Sequence, residues 1–114
     1  AATCELMSRS PKPDGIFAAS DLMAMGVMDA LRYQLGYRVP EEVQVIGYDD
    51  IPAASRLAYE LTTIRIDLDA MIDETLNILR LGLDQETHSV RQVTTPVRYI
   101  ERKSLVTTGR LPVR

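Results

Sequence analysis

Cysteine, histidine and aromatic residues are scarce in this sequence, and each scarcity removes a class of function. The single cysteine, Cys4, cannot form an internal disulfide; it fits a reducing compartment and reads as a packing residue. The single histidine, His88, stands in a polar connection with no metal-ligand spacing around it and is given no role. Aromatic residues make up 5% of the chain, and only Tyr99 lies among the late basic residues Arg98, Arg102, Lys103, Arg110 and Arg114. That cluster therefore reads as a solvated face and tail, and a net charge of −3 argues against this segment gripping nucleic acid itself. No apolar run approaches the roughly 20 residues of a membrane span, and no signal-peptide pattern opens the chain. Also missing are a Ser/His/Asp set and a phosphate-cradling glycine loop, so neither an enzyme nor a cofactor or metal is expected.

What is present is a soluble globular composition, 46% hydrophobic and 25% charged, in 114 residues that amount to one domain or part of one. The organising stretch is Val43-Gln44-Val45-Ile46-Gly47-Tyr48-Asp49-Asp50-Ile51-Pro52, a β-branched run ending in two carboxylates. Val and Ile favour a pleated surface, Gly47 admits a close approach to the backbone, and Pro52 ends ladder donation. Polar groups at the carboxyl end of a strand in an α/β sheet sit where ligands bind.

Around it, Ala1 to Ser8 reads as the last turns of a helix and Ile16 to Ala19 as a strand. Ser20 caps a helix from Leu22 to Leu35, with Asp21 at the positive end of its dipole. Two apolar lines run along that helix, Leu22, Met25, Met28, Leu31, Leu35 and Met23, Val27, Ala30, so its first turns need cover on a second side. Leu61 to Ile66 is the next strand, and Asp67 and Asp69 open a helix from Leu68 to Leu83. Val90 to Val93 and Val97 to Ile100 are predicted as two short strands. This order predicts an α/β fold, a mainly parallel sheet with helices on its faces.

Five segments, in register, carry a resemblance. Phe17-Ala-Ala-Ser-Asp-Leu-Met-Ala-Met-Gly26, Leu35-Gly-Tyr-Arg-Val-Pro-Glu-Glu-Val43, Val45-Ile-Gly-Tyr-Asp-Asp50, Leu61-Thr-Thr-Ile64 and Ile100-Glu-Arg-Lys-Ser104 together resemble the last third of the effector-binding core of LacI/GalR-family transcriptional regulators. The resemblance implies a partial periplasmic-binding-protein-like (type I) fold. Residues 1–114 would be the C-terminal portion of the effector-binding domain, with the DNA-binding head and most of the first lobe outside it.

It also implies a cytoplasmic, homodimeric sensor. Its lobes close on a small polar, sugar-like effector, and it holds operator DNA through the head rather than through this segment. Asp49 falls where the family has an Asp that binds ligand hydroxyls, and Ser20 where it usually has an effector-contacting Asn. Asp21 and Ile66 are secondary candidates, although Asp21 by itself reads as helix-start electrostatics and Asp50 as a turn or capping residue. Ile66 replaces a frequent ligand-facing Gln, Tyr59-Glu60 replaces common prolines, and Ile72 replaces a usual Gly. The dimer contact would comprise Leu22, Met25, Met28, Ser55, Arg56 and Leu57. In the resembled fold the chain changes lobe near Ile66 to Asp69, so the apolar face from Leu68 to Leu83 would need substitute cover, from its own strands or from another chain, or else be poorly ordered.

Two other classes compete. A free-standing periplasmic sugar-binding protein would share the lobe and the Asp but would be exported. A phospho-receiver switch would need its acidic pair after the first strand, which is not the order here.

Overall fold

The computed structural model describes residues 2–83 and 90–106. In chain order the elements are α1 (Ala2–Met7), β1 (Gly15–Phe17), α2 (Asp21–Asp29), β2 (Gln44–Ile46), β3 (Thr63–Ile66), α3 (Leu68–Leu83) and β4 (Val97–Ile100). β1 runs parallel to β2 with Ile16 opposite Val45, and β3 runs antiparallel to β4 with Arg65 opposite Arg98. Parallel bridges Ile46–Thr62 and Asp49–Arg65 join the two ladders. Val90–Val93 is not a strand; of the two late segments expected as strands, only Val97–Ile100 pairs with β3. His88 lies outside the described residues.

Ser20 starts α2 as expected: its backbone is extended and its side chain accepts a hydrogen bond from the Met23 amide, 3.3 Å away. The helix widens into a π-helical turn over Ala30–Gln34 and ends at Gly36, whose φ of +73° suits a residue without Cβ. The buried stripe of α2 is Ala24, Met25, Met28 and, in the wide turn, Leu31, which pack against Val43, Val45 and Leu61. Fully burying Met28, Leu31 or Leu61 stabilises the fold by about 1.5–3 kcal/mol each. Leu22 leaves the apolar line drawn for it and is 70% exposed beside exposed Met23.

The chain from Arg102 to Ser104 closes the core from behind. Ser104 Oγ donates to the Val45 carbonyl at 2.6 Å and accepts from the Thr62 amide at 2.8 Å, which stitches β2 to the approach of β3. Helix α3 is different. Leu68, Ile72, Leu76 and Leu79 remain exposed along it, so the chain's own strands do not supply the cover its amphipathic pattern calls for. Among the described residues no helix is long and apolar enough to cross a membrane.

Candidate functional site

Beyond Ile46 the β2 strand continues as Gly47, whose amide donates to the Thr62 carbonyl, and Asp49, whose amide donates to Ile64 at 2.8 Å. Asp49 and Asp50 both have positive φ, +116° and +58°. Non-glycine residues pay for that region with local strain, which persists only where the surroundings hold it. Here the holding group is the Asp50 side chain, 4% exposed, which accepts from Arg102 Nη2 at 2.7 Å and from Arg65 Nε at 2.6 Å. Burial by itself would push the Asp50 carboxyl up, but hydrogen bonds and charge from Arg102 and Arg65 outweigh it and hold the group below the usual carboxylate range.

This corrects two sequence readings. Asp50 is an ion-pair anchor rather than a turn residue, and Arg102 is no part of a solvated face, since its guanidinium lies inward and also donates to the Leu61 carbonyl. No local pattern signals such a link across 52 residues of sequence.

The turn leaves Asp49 exposed at the mouth of a cleft of about 490 Å³. The walls are Asp49 and Asp50 after β2, Arg65 and Ile66 at the end of β3, Asp67, Leu68 and Asp69 at the start of α3, and Arg98 on β4. Asp67 accepts from the Ala70 amide and thereby caps α3, and Asp69 lies in the first helical turn. Asp49 has no side-chain hydrogen bond or ion pair among the described residues. A carboxylate so placed can accept two hydroxyl hydrogen bonds from a ligand.

Of the residues expected to bind ligand, Asp49 and Ile66 share this cleft. Ser20 does not line it and is occupied in capping α2. Asp21 is fully buried, accepting from the Ile51 amide at 2.9 Å and from Thr63 Oγ1 at 2.5 Å, so it is structural and unavailable to a ligand. Arg65 and Arg98 were not anticipated as site residues; the strand register brings them together.

The expected contact surface is also redrawn. Met28 is fully buried and Met25 8% exposed, both turned into the chain's own core, whereas Leu22, Ser55, Arg56 and Leu57 are exposed. The loop carrying the last three is tied to α2. Arg32 donates to the Ala58 carbonyl, and Tyr59 donates to Asp29 at 3.3 Å, with burial first and the Asp29 charge second raising the Tyr59 phenol. Leu22 and Asp29 are seven residues apart and so share a helix face.

Residues 1–105 match the periplasmic binding protein-like domain family. The HTH-type transcriptional repressor PurR of Salmonella paratyphi B is 32% identical over 101 residues, covering 89% of this chain and 29% of the repressor. The chain thus spans under a third of the length of such curated relatives. Among solved structures, the transcriptional regulator CelR–cellobiose complex aligns with a TM-score of 0.79 and 34% identity, over 90% of this chain and 31% of that one. A LacI-family regulator from Arthrobacter sp. FB24 in complex with lactose aligns with a TM-score of 0.73 and 35% identity, over 90% and 38%. The chain belongs to the periplasmic binding protein-like domain family, in the form that LacI-family transcriptional regulators use as their effector-binding domain.

Proposed function

We propose that this chain is the sensing and dimerising part of a cytoplasmic LacI-family regulator that binds a small polar, sugar-like effector and thereby alters operator affinity. The observation that carries the reading is the Asp49 carboxylate, exposed in the cleft and not used by its own fold. Its backbone is held by the Ile64 carbonyl and the anchored Asp50, so little ordering cost is added when ligand arrives. Relatives in complex with cellobiose and lactose favour a hydroxyl-rich ligand. DNA contact would belong to a head outside these residues, and the role is binding rather than catalysis.

The test is operator affinity with and without effector for Asp49→Ala and Asp49→Asn in the full-length protein. Losing a charge-assisted bond costs about 1.5–3 kcal/mol, so effector affinity should fall roughly tenfold or more. Effector and operator couple by about 1–3 kcal/mol in typical cases, so the response should disappear while operator binding persists. An unchanged response in both variants refutes the assignment, and lost operator binding would mean a structural role for Asp49.

The contact between like chains is proposed on the surface of Leu22 and the Ser55-Arg56-Leu57 loop, without the buried methionines. An isologous contact needs an apolar centre, and the side chains of Leu57, 89% exposed, and Leu22, 70% exposed, offer apolar area for one. The double change Leu22→Lys, Leu57→Asp touches exposed side chains only and should leave a folded monomer. If sedimentation still shows a full dimer, the contact lies elsewhere.

A further inference from the structure

We infer that the effector is anionic, a sugar-like molecule carrying a carboxylate or a phosphate, and that Arg98 takes its charged group. The inference rests on the Asp49 reading and adds the class of ligand. Each charged group in the cleft can be assigned in turn. Asp50 is shared between Arg65 and Arg102, Asp67 caps α3, and Asp69 sits in the first helical turn, where the dipole favours a negative charge. Asp49 and Arg98 are left over. The Arg98 side chain has no hydrogen bond or ion pair among the described residues, yet the β3–β4 register sets it directly opposite Arg65, on the same face and lining the same cleft.

Like charges opposite one another destabilise a sheet. Asp50 relieves Arg65 of this repulsion but supplies nothing to Arg98. An anion entering the cleft would supply it, with the planar fork of a guanidinium suited to two parallel bonds to carboxylate or phosphate. The Ile66 side chain, also lining the cleft, offers no hydrogen bond to a neutral hydroxyl, so polar recognition falls to the side chains of Asp49 and Arg98. The ligand implied carries both hydroxyls and a negative charge.

The experiment is calorimetric titration of the full-length protein with glucose, galactose and fructose, each against its uronate and its 6-phosphate, repeated for Arg98→Gln, Arg98→Lys and Asp49→Asn. The tightest probe should be an anion, with affinity on the order of tenfold above its neutral parent, the size of one charge-assisted bond. Arg98→Gln should erase that preference, while Arg98→Lys keeps part of it. Uronate and phosphate separate by which of the two is preferred. The inference is overturned if neutral parents bind as tightly, if Arg98→Gln keeps the preference, or if no anionic probe binds. Asp49→Asn should weaken neutral and anionic probes together. No effect there, with the Arg98 preference intact, would discard the Asp49 reading alone.

Discussion

Replacing Asp21 with alanine is expected to cost roughly 2–6 kcal/mol of folding stability, because two donors, one buried and one partly buried, lose their acceptor at about 1–3 kcal/mol each. The donors are the Ile51 amide and Thr63 Oγ1, and the carboxyl they share is wholly screened from water. Domains hold only about 5–15 kcal/mol in total, so the variant should be marginal or unfolded at working temperature. The urea unfolding midpoint is the measurement. Adding Thr63→Val removes one of the orphaned donors and should recover part of the loss, since taking away both partners of a buried hydrogen bond costs less than taking one. A loss below about 1 kcal/mol for Asp21→Ala would show that neither bond matters to folding.

A methyl group at Gly47 should be nearly as damaging. Its Cβ would collide with Asp21 Oδ1, lie 3.0 Å from Leu61 Cδ2 and 3.3 Å from the Ala24 Cβ. None of the three can yield: Asp21 is held from two sides, and Leu61 and Ala24 are fully buried. Overpacking costs about 1–3 kcal/mol, and displacing Asp21 from one of its bonds adds about 1–3 more. Gly47→Ala should therefore lower stability by roughly 2–6 kcal/mol, and Gly47→Val by more.

The two predictions are coupled. In an Asp21→Ala background the colliding oxygen is gone, so the added methyl should cost far less than in the parent, a non-additivity that a double-mutant cycle measures directly. Strict additivity would mean that Gly47 matters for some reason other than the space Asp21 occupies.

Gly47 illustrates how far sequence reasoning reaches. A glycine inside a β-branched strand implies that something approaches the backbone closely, and something does. That the visitor is the Asp21 side chain rather than a ligand depends on α2 lying across the end of β2, which no spacing reveals. Asp50 is similar: a second acid after a strand fits a turn or cap equally well, and its two arginines come from 15 and 52 residues further along.

Features set by neighbours in sequence were legible. The cap at Ser20, the stop at Gly36 and the span Leu68–Leu83 follow from hydrogen bonds and periodicity confined to a few residues. The apolar pattern of α2 also announced a buried stripe. Which members of the line would be buried was not legible, because Leu22 and Met25 stand in the same line and are both apolar, yet only Met25 packs into the core. Val90–Val93 failed as a strand for a related reason: β propensity needs a neighbouring edge, and β3 has given its edge to β4.

By itself the sequence determined the helices, the main strands, the family pattern and the exposed acid at the end of β2, since each rests on local chemistry or on motifs kept in order. Tertiary structure alone decided which acids were consumed by the fold and which were left over. Asp21, Asp49 and Asp50 are the same residue type near strand ends, and only packing tells them apart. One is buried between Ile51 and Thr63, one is clamped by Arg65 and Arg102, and one is left facing the cleft with Arg98.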